Sequence, residues 1–397
     1  VFFDYNFEFM TRSLLYIFLT FHFICCHSME LKIGLLRNIQ LKAVKITSLD
    51  HYFITASNSD LKKELGNKAS LHIKSNHNKV QILYNDKLLG EFDTIYVNKR
   101  TKDTCVFTLT GKNPSFRKRS YYGEMEIFSK KGKLTLVNNV DLEKYLVGVL
   151  ESEVGLHQTK DFYKVHSIIS RTYALKNQYK FIHEGFNLTD LVNCQVYKGK
   201  MYKSQNIIDA VKETRNLILV DENMDYITAA YFSNSGGQTN NVEDVWLKAL
   251  PYLRSIHDPY SVHGYNYEWE KTISKKSWLN YLHTKFQFPV DNAVAINSAC
   301  NFKQEIRHKY LIDWMYRIPL TQIRKDWKLK STYFSIFDNG NGELTIKGKG
   351  FGHGVGLSQE GAMKMIDLGY DFLDVLRFYY TDVHLIDRRM RDFYLLD

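Results

Sequence analysis

Lys133-Leu134-Thr135-Leu136-Val137, followed by Leu142-Glu143-Lys144-Tyr145-Leu146-Val147-Gly148-Val149-Leu150, marks the point where this chain changes period. The first stretch reads as a strand and follows Ser129-Lys130-Lys131-Gly132, a hairpin signal with Gly at the turn. The second reads as a helix. Upstream, Leu31–Leu36, Val80–Tyr84, Thr94–Val97, Val106–Leu109 and Tyr121–Ile127 are apolar, β-branched or aromatic runs broken by Asn, Asp, Lys and Gly. Downstream, Thr159 is a natural N-cap for a helix reaching Gln178, with Asp161 in its first turn at the positive dipole end. A short helix near Ile207–Thr214 and strands at Leu217–Val220 and Ile227–Phe232 follow. The last third offers a strand at Leu344–Lys347, a glycine-rich turn, and helices over Ser358–Leu368 and Phe372–Tyr380. The expected fold class is α+β: a β-rich N-terminal region over residues 30–120, then a mixed α/β domain over 121–397.

With 397 residues, 44% of them apolar, the chain is large enough for two or three cores and unlike a disordered one. Its formal charge of +10 predicts an anionic partner: nucleic acid, anionic lipid, or a carboxylate-bearing glycan. The first residues narrow this choice. Thr11-Arg12-Ser13, the apolar run Leu14–Cys25 and then Cys26-His27-Ser28 have the order of a secretory leader starting at Met10 and filling residues 1–29. Export to a periplasmic or wall-associated site is the expectation, with a lipid anchor at Cys25 or Cys26 as the weaker variant. No later stretch is long and apolar enough to span a bilayer. Cys105, Cys194 and Cys300 follow the leader without a CxxC spacing, so no disulfide framework is expected.

Three segments carry more polar chemistry than a generic fold needs. Leu146–Gly155 sets Glu151 and Glu153 among apolar residues, where burial raises a carboxyl pKa toward the range of a proton donor. Two positions apart on a helix, they point in different directions and do not form a facing pair. The plainer alternative is two solvated carboxylates at a helix end. Ala230–Asn240 ends a strand in hydroxyl and amide groups around Gly236-Gly237, suited to sugar hydroxyls or simply a polar turn. Gly348–Ala362 alternates glycines around His353, which would let backbone N–H groups approach a ligand closely. It has neither the P-loop nor the dinucleotide spacing. On the Thr159 helix, Arg171 lies nearly opposite the stripe Phe162, Ile169 and Tyr173, and is expected to face a cleft.

Taken in order, these segments resemble the SpoIID/LytB family of peptidoglycan glycan-strand enzymes. Tyr145–Gly155 is similar to its Y-L-x-G-V-x-x-S-E-M-P motif with Val154 and Gly155 replacing Met and Pro. Ser170-Arg171-Thr172-Tyr173-Ala174-Leu175 matches A-R-T-Y-A-L, and Cys194-Gln195-Val196-Tyr197, Ser235–Thr239 and Glu243–Trp246 follow. Gly352–Ala362 resembles G-H-G-V-G-M-S-Q-Y-G-A, with Leu357 for Met and Glu360 for Tyr.

The resemblance implies a lytic transglycosylase. Glu153 would be the catalytic acid, and Arg171, Tyr231, Ser235, His353, Ser358 and Gln359 would place a peptidoglycan glycan strand in a cleft. No cofactor is implied. Some relatives carry a zinc cluster before Cys-Gln-x-Tyr, but Thr189 and Asn193 replace two of its ligands here, leaving Cys194 and His183, so no metal is expected. The rival reading is a non-catalytic enhancer that binds glycan and recruits a wall amidase. A nucleic-acid binder rests on charge alone and has no supporting motif.

Overall fold

The computed structural model describes residues 29–66, 68–101, 105–200, 204–246, 248–312 and 316–395. The expected leader, with Met10, Cys25 and Cys26, lies outside them. The α+β reading is borne out. Twelve strands precede the first described helix: β1 (Glu30–Leu35), β2 (Ala43–Thr47), β3 (Tyr52–Ala56), β4 (Lys62–Glu64), β5 (Leu71–Asn76), β6 (Lys79–Tyr84), β7 (Lys87–Phe92), β8 (Thr94–Lys99), β9 (Val106–Asn113), β10 (Arg119–Tyr122), β11 (Glu124–Lys130) and β12 (Lys133–Asp141). They form a six-stranded sheet, β10-β9-β2-β5-β6-β7, and most of a seven-stranded one that includes β1-β12-β11-β8-β3-β4. Both sheets contribute to one core, among them Ile46, Ile73, Ile82, Ile95, Ile127 and Leu136. Alternate residues of β2 and β3 are buried, as a half-covered strand requires.

The stretch Tyr121–Ile127, expected as one strand, is two strands in different sheets. Gly123 breaks it at φ +92, where a Cβ would lie 2.1 Å from the Asn139 carbonyl oxygen. The hairpin at 129–132 forms as expected, with Lys130 paired to Lys133 and both Lys131 and Gly132 at positive φ.

The mixed half opens with α1 (Leu142–Glu153) and α2 (Lys160–Lys176). Asp141 and Thr159 cap them, accepting from the amides of Lys144 and Phe162. Next come β13 (Leu188–Thr189), which completes the seven-stranded sheet beside β1, then α3 (Gln205–Glu213), β14 (Leu217–Val220), β15 (Tyr231–Phe232) and α4 (Val242–Val245). A lobe with its own core then intervenes, built from β16 (Glu268–Ser274), α5 (Lys275–Phe286), α6 (Ala293–Cys300), α7 (Leu320–Asp326), β17 (Phe334–Asp338) and β18 (Glu343–Lys349). The chain returns through β19 (Leu357–Ser358), α8 (Gln359–Asp367), α9 (Phe372–Tyr379), β20 (His384–Asp387) and α10 (Arg388–Tyr394). Cys105, Cys194 and Cys300 are buried free thiols. Among the described residues no helix is long and apolar enough to cross a membrane.

Candidate functional site

Glu153 is the last residue of α1, where the helix surrenders to the turn at Gly155. That turn is pinned from α2, because the Tyr163 hydroxyl donates to the Gly155 carbonyl at 2.7 Å. The Val196 amide donates to Glu153 Oε1 at 2.6 Å, and the Lys198 amide donates to the Ser152 hydroxyl at 3.2 Å. The backbone after Cys194 therefore runs across the end of α1 and fixes the carboxyl. Burial raises the Glu153 pKa above the ordinary carboxylate range, against the opposing pull of the Val196 N–H and the Lys198 charge. Oε2 has no hydrogen bond from the described protein groups.

A cavity of about 350 Å³ opens at this carboxyl, lined by Glu153, Tyr173, Cys194, Tyr231, Trp246 and His353, with Val192 and the backbone around Thr228–Ala230. Among the described residues, Glu153 is the one carboxylate that lines it. Tyr231 sits on β15, which pairs in parallel with β19, so the second and third sequence segments meet here. His353 closes the wall, its ring 5.3 Å from Phe232 and 5.2 Å from Trp246. The Val355 amide donates to its Nδ1 at 3.0 Å, so Nε2 carries the proton and donates to the Tyr231 carbonyl at 3.1 Å. Both nitrogens are committed to backbone. Burial and the charges of Arg324 and Arg307 lower its pKa to about 4, leaving a neutral ring that shapes the site without shuttling protons. A larger, mainly apolar groove of about 670 Å³ beside β14, β20 and α9 holds none of the expected residues.

Three expected site residues, Glu153, Tyr231 and His353, thus come together, and four do not line the cavity. Arg171 is fully buried and faces no cleft. Its Nε and Nη2 donate to the Glu143 carboxylate at 3.0 and 2.6 Å, and its Nη1 to the Leu217 carbonyl at 3.0 Å. Lying opposite the apolar stripe put it against α1 and β14, which cover that side of α2. The Ser235 hydroxyl is buried, 2.7 Å from Asp258 Oδ2 and 2.6 Å from the Ser261 hydroxyl. Ser358 is the N-cap of α8 and also accepts from the Ser235 amide at 3.2 Å. Gln359 opens α8 outside the cavity lining. Ser235 and Ser358 hold the two loops to each other.

The alternating glycines do the same work. A Cβ on Gly352 would lie 2.6 Å from Cβ of Phe232, and one on Gly356 would lie 2.2 Å from the Ala230 carbonyl oxygen. These glycines admit a neighbouring side chain and a neighbouring carbonyl, where a ligand had been expected. Glu360, at the family's Tyr position, accepts from Asn234 and Asn266 at 2.7 and 2.6 Å. The intervening lobe adds Arg307, which sequence reasoning missed. Its Nη2 donates to the Ser235 carbonyl and its Nε to the Gln238 carbonyl, both at 2.6 Å. Burial pushes its pKa down to about 9, still a cation at neutral pH.

Thr189, Asn193 and Cys194 do converge. The Thr189 hydroxyl donates to Asn193 Oδ1 at 2.9 Å, and the Thr189 amide to Cys194 Sγ at 3.5 Å. One cysteine sulfur with an alcohol and an amide is a poor donor set for structural zinc. Elemental analysis of purified protein should give well under one zinc per chain. A full equivalent whose chelation unfolds the protein would reverse this conclusion.

Behind Tyr231, His166 is buried with neither ring nitrogen hydrogen-bonded among the described residues, its ring 4.8 Å from Phe162 and 5.1 Å from Tyr231. Burial lowers its pKa to about 3. The unfolded chain, at the ordinary 6.5, therefore binds this proton first. Stability falls as pH drops below about 6.5, by about 1.4 kcal/mol per unit for each such histidine, until the folded pKa is reached. His166→Phe removes two unpaired polar atoms, so it should be at least as stable as wild type at pH 7. Between pH 6.5 and 4 it should lose less stability in denaturant titrations. Parallel losses in both proteins would mean that His166 is solvated.

Comparison with known proteins adds an independent finding. The family model for stage II sporulation protein matches residues 130–220. Over 264 residues the chain is 31% identical to stage II sporulation protein D of Bacillus amyloliquefaciens, covering 63% of this chain and 75% of that protein. The Bacillus subtilis protein of the same name is 29% identical over the same lengths. The amidase enhancer of Bacillus subtilis is 25% identical over 296 residues, 60% of this chain and 40% of that protein.

Proposed function

The chain belongs to the stage II sporulation protein D family, and on that premise we propose that it acts in the bacterial cell wall as a lytic transglycosylase. The observation that carries this reading is a single carboxylate with a raised pKa in an aromatic-walled cavity. Protonated Glu153 gives its proton to the glycosidic oxygen between N-acetylmuramic acid and N-acetylglucosamine, and the bond from C1 of the muramic acid to that oxygen breaks. The sugar's own C6 hydroxyl then bonds to C1, its proton passing to the Glu153 carboxylate. The products are a 1,6-anhydro end and a free hydroxyl, and the acid is restored. No second carboxylate is needed, whereas direct hydrolysis uses one to activate water.

Val196 N–H holds Oε1 in place and supports the carboxylate between the two transfers, leaving Oε2 toward the sugar. Tyr231, Trp246 and Tyr173 supply the faces on which sugar rings stack, and His353 keeps Tyr231 in register. The lines of this mechanism require export across the membrane, as the leader suggests.

The test is to incubate purified protein with peptide-free glycan strands and read the new ends by mass spectrometry. Anhydro ends support the reading, and reducing ends sink it. The similarity to an amidase enhancer favours a second reading, in which the protein binds glycan uncut and stimulates an amidase. Intact strands together with faster amidase action would select that one.

A further inference from the structure

Residues 29–140 hold twenty Lys and Arg against ten Asp and Glu, a net +10 that equals the charge of the entire chain. The β-rich half is therefore the basic half, and the half that carries Glu153 is nearly neutral. The excess is not evenly spread. Strand alternation turns Lys45 of β2 and His72 and Lys74 of β5 away from the core, onto the outer face of the six-stranded sheet. Lys112 joins them from the end of β9. Lys74 and Lys112 are exposed, and Lys45, Lys74 and Lys112 have no ion-pair partner among the described residues. Burial and then the charge of Lys45, with Lys112 and Lys74 adding, holds His72 below its ordinary pKa, against Asp86. Three lysines thus bear on one imidazole, which places them on a single face.

The same face leads to the cavity. On its β10 edge Ser120 forms a bridge with Lys200, whose Nζ lies 5.0 Å over the Tyr122 ring. Lys198, two residues earlier, is exposed and close enough to act on Glu153. Arg117 and Lys118 are exposed in the loop between β9 and β10. From β10 to β5 is three strand spacings, roughly 14 Å at about 4.8 Å each. Cations therefore run from the side of the cavity across the sheet, and the acids on this face lie toward its far edge: Asp86, 3.8 Å from His72 Nδ1, and Glu91, which accepts from Asn76 and Gln81.

We propose that the outer face of the six-stranded sheet is a polyanion-binding platform, and that its occupant is the uncut length of the carboxylate-bearing glycan strand whose target bond sits at Glu153. This rests on the proposed glycan substrate, but not on cleavage. Charge complementarity selects the occupant: carboxylates recurring along one polymer match cations recurring along one face, and continuity with the cavity lets one strand occupy both.

The test uses the full chain carrying Glu153→Gln, so that strands stay whole. Binding to immobilised peptide-free glycan is measured against salt for Lys45→Gln/Lys74→Gln/Lys112→Gln. A control, Lys62→Gln/Lys130→Gln/Lys131→Gln, removes equal charge from the other sheet. The first triple should bind about tenfold more weakly at low salt, with a flatter salt dependence, and the control should bind like the parent. Equal binding by both triples overturns the proposal. So does a first triple that keeps glycan but loses vesicles rich in anionic phospholipid, which would make the face a membrane surface. If the Glu153 protein cuts nothing and the two triples still differ, the transglycosylase reading fails and the platform stands.

Discussion

Glu153→Gln should slow glycan cleavage by at least the ~10²–10⁴-fold typical of general acid–base catalysis while leaving glycan binding in place. The amide keeps the size of the side chain and can still accept from Val196 N–H, but it has no proton to give and none to take back. Glu151→Gln is the paired control. Glu151 is buried two positions away and outside the cavity lining, so its loss should leave turnover near wild type once folding has been checked by thermal melting. The pH profile adds a sign. In the proposed mechanism only protonated Glu153 starts the reaction, and its pKa lies above the ordinary carboxylate value. Wild-type kcat/KM should therefore fall as pH rises through that raised pKa. A rate that instead rises across that range would identify Glu153 as a base for water and require a second acid. Full activity in Glu153→Gln would remove the assignment altogether.

Local signals were legible where the physics is local. The Thr159 cap, the 129–132 hairpin and the helix after Ser358 all depend on contacts within a few residues, and each formed within about two residues of its expected bounds. A carboxyl among apolar residues marked this stretch, but it marked Glu151 as much as Glu153, and only the resemblance pointed to Glu153. What failed was inference about which way a side faces. Helical spacing placed Tyr173 in an apolar stripe and Arg171 across from it, and spacing is silent on what packs where. Tyr173 lines the cavity, while α1 and β14 cover Arg171. The glycine run was misread for a related reason, since close backbone approach requires glycine whether the visitor is a ligand or Ala230. Arg307 gave no local signal at all. Its partners Ser235 and Gln238 are about 70 residues distant, and only the placement of the intervening lobe brings them together.

Arg171→Met should cost about 3–5 kcal/mol of stability, the range for breaking one side of a buried ion pair. That is a large share of the ~5–15 kcal/mol that holds a typical domain together. The bidentate contact joins α2 to α1 through Glu143, and the bond to the Leu217 carbonyl joins α2 to β14. Methionine fills much of the volume, yet it leaves the Glu143 carboxylate, itself mostly buried, without its counter-charge and the carbonyl without a donor. Glu143→Gln in the same chain should restore part of the loss, because a neutral amide is far cheaper to leave unpaired than a carboxylate. Urea titration of the two single variants and the double variant measures that coupling. A substrate-placing arginine would behave differently: unfolding would be unchanged, KM would rise, and Glu143→Gln would rescue nothing. Since α1 carries Glu153 at its far end, the destabilised protein should also lose activity, but in proportion to its unfolded fraction, and cooling or a stabilising osmolyte should bring activity back.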